Sequence, residues 1–358
     1  MNKLYKILGV LLVGYSILAG MLIPLSTGIT GVSPRVAQGG EELALVLQAY
    51  NSNFDAEKGG YKARIRLNPR EAICAKKIEV NNAQQLTLFF DIPLGKLPIQ
   101  ATTADGKKSP FPLLEMSGQQ GGYSSLESVV YIKDSLGADS LAPSFCAIES
   151  FDQGVESEVT FPFLNILEET IRNLFYHVPM WFAMMFLLLI SVGYSILYLW
   201  KPEVEYYDTQ ASSFAVIGVL FGIIGITTGA LWAKHTWGAY WSFDVKQNTS
   251  AVALLIYLAY FVLRSSFDDM DKRARIAAIY NIFAFATLIP LLYIVPRMVD
   301  SLHPGMGGNP AFSKLDLDNT MRMVFYPAVI GWMLMGIWMS NLVGRVERLT
   351  RRKLEMEE

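Results

Sequence analysis

The chain has 358 residues, 52% of them hydrophobic and only 17% charged, with a mean hydropathy of +0.31, whereas soluble domains carry nearer a quarter charged residues. A formal net charge of −2, without a basic patch interleaved with aromatics, gives no reason to invoke a nucleic-acid partner. The shortage of charge is uneven: residues 27–163 read as ordinary polar protein and the remainder as strongly apolar, which implies one soluble domain and one membrane domain.

Residues 1–26 carry Lys3 and Lys6 ahead of an uncharged apolar run, Ile7 to Leu25. The run is a first spanning helix or a signal peptide; its length and the lack of an Ala-x-Ala site favour the helix, a possible signal anchor. Residues 27–163 contain short β-branched or aromatic runs at Ala63 to Leu67, Lys77 to Val80, Gln85 to Asp91, Ser128 to Lys133 and Glu158 to Phe163. Breaks such as Gly59-Gly60, Asn68-Pro69, Asn81-Asn82 and Gly121-Gly122 separate them, which predicts a small antiparallel, sandwich-like β domain. Glu42 to Tyr50 reads as a short helix within it. Both cysteines, Cys74 and Cys146, fall in this domain. Outside the cytoplasm their leading reading is one disulfide, with two buried thiols as the alternative.

From Leu164 to Tyr176 apolar residues recur at helical spacing opposite Glu168, Glu169 and Arg172, the pattern of an amphipathic helix lying on a membrane surface. Residues 164–343 then hold five further spanning segments: Val178 to Trp200, Ser212 to Ala233, Ser250 to Leu263, Ile276 to Val295 and Val324 to Val343. The segment from Ser250 is short for a bilayer and is expected to extend back through Asn248 toward Asp244. Residues 344–358 form a charged tail. With the N-terminus inside, twelve basic residues fall in inner segments (Lys3, Lys6, Lys201, Arg264, Lys272, Arg273, Arg275, Arg345, Arg348, Arg351, Arg352 and Lys353). Five fall in short outer loops: Lys234, Lys246, Arg297, Lys314 and Arg322. The positive-inside rule then gives a six-transmembrane-helix bundle with both termini cytoplasmic and the β domain extracytoplasmic, inserted between helices 1 and 2.

This topology gathers all three histidines on one face. His177 opens the second helix, with Pro179 in its first turn; His303 sits in the glycine-rich run Leu302-His303-Pro304-Gly305-Met306-Gly307-Gly308. His235 precedes a dense aromatic cluster, Trp237, Tyr240, Trp241 and Phe243, with Gly238 inside it and Asp244 closing it. Such rings also form ordinary interfacial belts, and a lone interfacial histidine is commonly a headgroup-level hydrogen-bonding residue. Two histidines converging on an aromatic shelf point further, because imidazoles from separate elements can hold an iron from both sides while flat rings cover a porphyrin.

The run Trp237-Gly238-Ala239-Tyr240-Trp241-Ser242-Phe243-Asp244 resembles the motif Trp-Gly-x-x-Trp-x-Trp-Asp shared by haem-handling proteins of cytochrome c biogenesis. With six helices, the His177-Val178-Pro179 entry and His303, the stretch from about Leu164 to Val343 looks like the haem exporter protein C family (cytochrome c maturation protein C, CcmC). The resemblance implies His177 and His303 as axial ligands of one transient, non-covalent haem b, with Trp237, Gly238, Trp241 and Asp244 as its platform. It implies a non-enzymatic delivery factor in the inner membrane, with the haem site periplasmic. The implied partners are the haem chaperone, cytochrome c maturation protein E, and the ABC transporter formed by cytochrome c maturation proteins A and B. The small cytochrome c maturation protein D and membrane lipid complete the set.

Two departures stand out: Phe243 replaces the motif's last tryptophan, removing an indole N–H, and the β domain is foreign to the short form of the family. Arg297 is the foremost candidate for the haem propionates, followed by Lys234, Lys246, Lys314 and Arg172, for all of which phospholipid contact is the alternative. His235 and Met306 are rival ligands. Asp244 either accepts from an axial imidazole N–H or caps the next helix. A haem–cytochrome c synthase and a bis-histidine electron-transfer cytochrome are the competing functional readings.

Overall fold

Alternation of apolar and polar side chains governs residues 28–133, and continuous apolar runs govern the helices on either side. The computed structural model describes residues 3–55, 60–93, 99, 109–118, 122–127, 129–133, 159–303 and 317–357. The chain divides into two units, residues 24–168, and residues 1–23 together with 169–358.

The first unit contains β1 (Gly28–Ser33), β2 (Val36–Gln38), β3 (Glu42–Tyr50), β4 (Lys62–Arg66) and β5 (Ala72–Cys74). It continues with β6 (Lys77–Asn82), β7 (Gln85–Asp91), β8 (Leu113–Gly118), β9 (Gly122–Leu126) and β10 (Tyr131–Lys133). Two antiparallel four-stranded sheets, ordered β1-β3-β7-β6 and β5-β4-β8-β9, share one core. Leu45, Leu47, Leu86 and Leu88 from the first sheet meet Ile65, Leu114 and Met116 from the second. This is the sandwich arrangement, each strand turning alternate residues inward. Glu115, also buried, is held between Arg64 and Arg66.

Several expectations are corrected. Glu42–Tyr50 is a strand: Leu43, Leu45, Leu47 and Ala49 are buried in alternation, and β3 pairs with β7 in the register Leu45↔Leu88. The unit is not wholly antiparallel, because β10 pairs parallel to β2 and supplies only three residues of the run from Ser128. In the run from Glu158, Phe161 makes an isolated bridge to Leu25, a residue assigned above to the first helix, and residue 158 lies outside the described residues. Cys74 is disulfide-bonded; Cys146 lies outside the described residues.

The second unit contains α1 (Leu4–Leu22), α2 (Leu174–Trp200), α3 (Glu205–Trp237), α4 (Val245–Ser265), α5 (Met270–Ile289), α6 (Val295–Met298) and α7 (Asn319–Glu357). A π-helical turn, Pro290–Ile294, joins α5 to α6, so the fifth expected helix changes its winding before its end. Among the described residues, six helical stretches are long and apolar enough to cross a membrane. The fourth reaches back to Val245, as its short apolar run requires. The surface helix from Leu164 does not form. Glu168 has φ of +44°, which interrupts an α-helix, and Glu168–Asn173 is instead a 3-10 helix feeding α2. That extra turn places Pro179 inside α2, not in its first turn. α7 runs through residues 344–357 without a break.

The packing of α3 on α2 follows from a stripe of glycines. A Cβ on Gly218 would stand 2.8 Å from Leu188, on Gly222 2.7 Å from Met184, on Gly225 3.0 Å from Trp181 and on Gly229 2.6 Å from His177. The 4-3-4 spacing on α3 is mirrored in reverse on α2, so the two helices lie antiparallel in a single register with backbone against side chain. Lipid tails supply no hydrophobic drive for helix association, and small residues that admit close approach supply the packing instead. Asn281 ties α5 to α2 and α4, donating to Ser191 Oγ at 2.8 Å and Ser195 Oγ at 2.9 Å and accepting from Tyr257 Oη at 3.1 Å. Gly222→Val is expected to lower stability in detergent by about 1–3 kcal/mol through overpacking. Gly14→Val, where nothing lies within 4 Å of the added carbon, is expected to leave the thermal midpoint unchanged; equal losses would contradict the register.

Candidate functional site

The glycine stripe ends at His177. On the fourth residue of α2, its ring packs against Gly229 with Cε1 nearest, and its Nδ1 is 2.9 Å from the Gly225 carbonyl oxygen and 3.1 Å from Thr228 Oγ1. A carbonyl can only accept, so the proton sits on Nδ1 and Nε2 keeps its lone pair. Trp181 and Trp232 stand edge-on to the ring, with centroids 6.4 and 5.9 Å away.

The aromatic loop is built at the junction of α3 and α4. Gly238, at φ of +83°, ends α3 in the left-handed conformation that favours glycine, its N–H donating to the Lys234 carbonyl. The first turn of α4 then folds back on the loop. Gln247 accepts from Ser242 N at 2.9 Å and donates to the Tyr240 carbonyl at 3.3 Å. Asn248 accepts from Trp241 Nε1 at 3.2 Å and donates to the Phe243 carbonyl at 2.8 Å. Tyr240 and Phe243 are left 57% and 78% exposed, and Phe243 has φ of +57°, a conformation that costs a bulky residue energy. These two rings project outward; Trp237 and Trp241 are half-buried.

Asp244 closes the loop, caps α4 and accepts from an imidazole N–H. Its Oδ1 accepts from Lys246 N at 2.9 Å, capping α4. The same carboxylate accepts from Leu302 N at 2.8 Å, from Ser301 Oγ at 2.9 and 3.0 Å, and from His303 Nδ1 at 2.9 Å. A carboxylate at Nδ1 fixes the His303 proton there and again leaves Nε2 as the available nitrogen. The Trp237 ring packs edge-on to His303 at 4.9 Å between centroids. Burial works against ionisation of Asp244, but its hydrogen bonds, foremost that from Leu302 N, hold its carboxyl below the usual carboxylate value. Burial, with Lys246 nearby, lowers His303 from its ordinary 6.5 against the opposing pull of Asp244.

The structure thus brings His303, Trp237 and Asp244 into contact. Lys246 is half-buried in the first turn of α4. Arg297 itself is exposed in the last turn of α6. Two other candidate cations are otherwise engaged. Arg172 donates to the Gly20 and Ile23 carbonyls at 2.8 and 2.7 Å, capping the end of α1, and Lys234 donates to the Gly238 carbonyl at 2.9 Å. His235 is exposed, and Met306 and Lys314 lie outside the described residues. Thr228, Gly229, Gln247 and Asn248 were not singled out from sequence; the glycine spacing on α3 was the available signal for the first pair.

Asparagine caps helices about as well as aspartate, so Asp244→Asn is expected to keep α4 intact while loosening residues 300–303. Loss of a charged acceptor, at about 1.5–3 kcal/mol, predicts amide exchange at Leu302 and His303 faster by roughly tenfold or more. Unchanged exchange would show that the loop is held by something else.

Comparison with known proteins bears on this arrangement. Residues 162–358 match the family model described as Heme exporter protein C. A protein of that name from Bradyrhizobium diazoefficiens is 26% identical over 189 residues, covering 51% of this chain and 68% of that one. Another, from Haemophilus influenzae, is 26% identical over 140 residues, covering 38% of this chain and 55% of that one, so this chain spans just over half of that relative. A shorter stretch of 82 residues is 32% identical to a Synechococcus protein named Cytochrome c biogenesis protein CcsA, covering 23% of this chain and 27% of that one. The matched residues hold the two imidazoles, the aromatic loop and five of the six apolar helices, and because they make up more than half of its length, the chain belongs to the Heme exporter protein C family.

Proposed function

We propose that this multi-pass membrane protein binds haem between His177 and His303 at the periplasmic face of the inner membrane and delivers it during cytochrome c biogenesis. The observation that carries the reading is the matched state of the two imidazoles. Each has its Nδ1 held by an acceptor, Gly225 for one and Asp244 for the other, so each presents Nε2 as its free ligand nitrogen. Two neutral imidazoles suit an iron whose remaining positions are filled by a macrocycle. Trp237, held against His303, and the half-buried Trp241 would give that macrocycle an aromatic wall, with Gly238 shaping the turn between them. Lys246 and Arg297 would meet the propionates.

The two ligands are held differently, which suits handing on a cargo. His177 is fixed by a packed helix pair, whereas His303 is held through one carboxylate in a connecting segment. Local opening of a connector costs less than separating packed helices. The exposed Tyr240 and Phe243 are placed to meet a recipient, for which the family suggests the chaperone cytochrome c maturation protein E. The further partners of this reading are the ABC transporter of cytochrome c maturation proteins A and B and the small cytochrome c maturation protein D. The twelve-to-five distribution of basic residues supports cytoplasmic termini and a periplasmic β unit. In this reading haem is only bound and released, so the protein acts as a delivery factor and not as an enzyme.

His303→Ala is expected to retain part of the haem that copurifies with the full chain and His177→Ala distinctly less, read from absorption spectra normalised to protein. Equal loss would count against the division into fixed and mobile ligands, and failure of the wild type to pass haem to the chaperone would count against delivery. Haem retention should also be flat down to the ordinary imidazole value of 6.5. The folded state favours neutral His303, so its contribution is complete above that pH and is lost as pH falls through the lowered value. A decline beginning above 6.5 would contradict this.

A further inference from the structure

At the bundle end opposite the histidines, the inner ends of α4, α5 and α7 enclose an open cleft of about 460 Å³. Three arginines line it, Arg264, Arg273 and Arg351, together with Glu347, Phe261 and Leu354. Two of the arginines are already paired. Arg264 donates Nη1 and Nη2 to the two oxygens of the buried Asp208, at 2.6 and 2.5 Å, which pins α4 to α3. Arg351 Nη2 donates to Glu347 Oε1 at 2.5 Å, one turn away on α7. Arg273 is different. Its Nε is buried without a hydrogen-bond partner among the described residues, and no ion pair within them neutralises it. With Arg264 and Arg351 each matched by a carboxylate, Arg273 leaves the cleft lining with one uncompensated positive charge.

We propose that this cleft binds the headgroup of an anionic phospholipid, with Arg273 as the principal phosphate contact. Guanidinium groups present planar, paired donors suited to phosphate oxygens. The apolar lining favours a lipid over a free anion: Phe261 is half-buried, and Leu354 and Met270, also in the lining, are 57% and 45% exposed at the helix ends, where acyl chains and glycerol would run. Basic pockets between membrane helices are a recurrent setting for such headgroups. A bound headgroup would bridge α4, α5 and α7 and so stabilise this end of the bundle independently of haem.

The test uses the full chain in detergent, its thermal midpoint followed during addition of phosphatidylglycerol, phosphatidylcholine or inorganic phosphate. Phosphatidylglycerol is expected to raise the midpoint, phosphatidylcholine and phosphate to leave it in place. Arg273→Gln is expected to weaken the phosphatidylglycerol effect by about fivefold in apparent affinity, the contribution of one surface-level cation, and Arg273→Lys to restore most of it. Because Arg273 is outside the Arg264–Asp208 pair, its replacement leaves that clamp intact. Stabilisation by inorganic phosphate alone would overturn the lipid assignment. Equal response to both lipids, or an undiminished response in Arg273→Gln, would overturn the site.

Discussion

Close approach of α3 to α2 is the constraint from which the site follows. Four glycines at 4-3-4 spacing oppose Leu188, Met184, Trp181 and His177 in one antiparallel register. A side chain at any of them would have to displace the residue packed on it, and at Gly225 and Gly229 that residue is a rigid ring. The last rung holds the candidate ligand: Gly229 lies against the imidazole that Gly225, one turn earlier, accepts from. The depth and tautomer of His177 are therefore set by backbone, in a helix pair that lipid exposure alone would not hold together.

The other imidazole is positioned by long-range chemistry. Asp244 is a helix cap in the local sense, and the same two oxygens gather Ser301, Leu302 and His303 from a segment nearly sixty residues later. One carboxylate thus couples the aromatic loop, the start of α4 and the connector after α6. The arrangement is economical and breakable, since the connector is released when those bonds open while Gln247 and Asn248 still hold the aromatic loop to α4. On the proposed function, having one ligand on packed helices and the other on such a hub suits holding and then surrendering a large planar cargo.

Much of this was legible in the chain. Uncharged apolar runs marked the six helices, and the need of a short run for more length correctly extended α4 back to Val245. His177, His303 and the aromatic cluster stood out because chemically able residues are few in so apolar a sequence. What escaped notice depended on distant partners. Glu42–Tyr50 is composed largely of helix-favouring residues, and its alternation prevails only because β7 and a second sheet are there to bury it. Arg172 resembles a solvent-facing charge until the end of α1 is brought beside it. Asp244 posed a choice between capping and bonding an imidazole because sequence offers only its neighbours in the chain; in the fold one side chain does both.

The central claim is that Nε2 of His177 and Nε2 of His303 share one haem iron. Electron paramagnetic resonance of the full chain loaded with ferric haem addresses it directly. The account predicts a low-spin, two-imidazole signal that becomes high-spin in His177→Gly and in His303→Gly and returns in each when free imidazole is added. A wild-type signal that survives either substitution unchanged would contradict it.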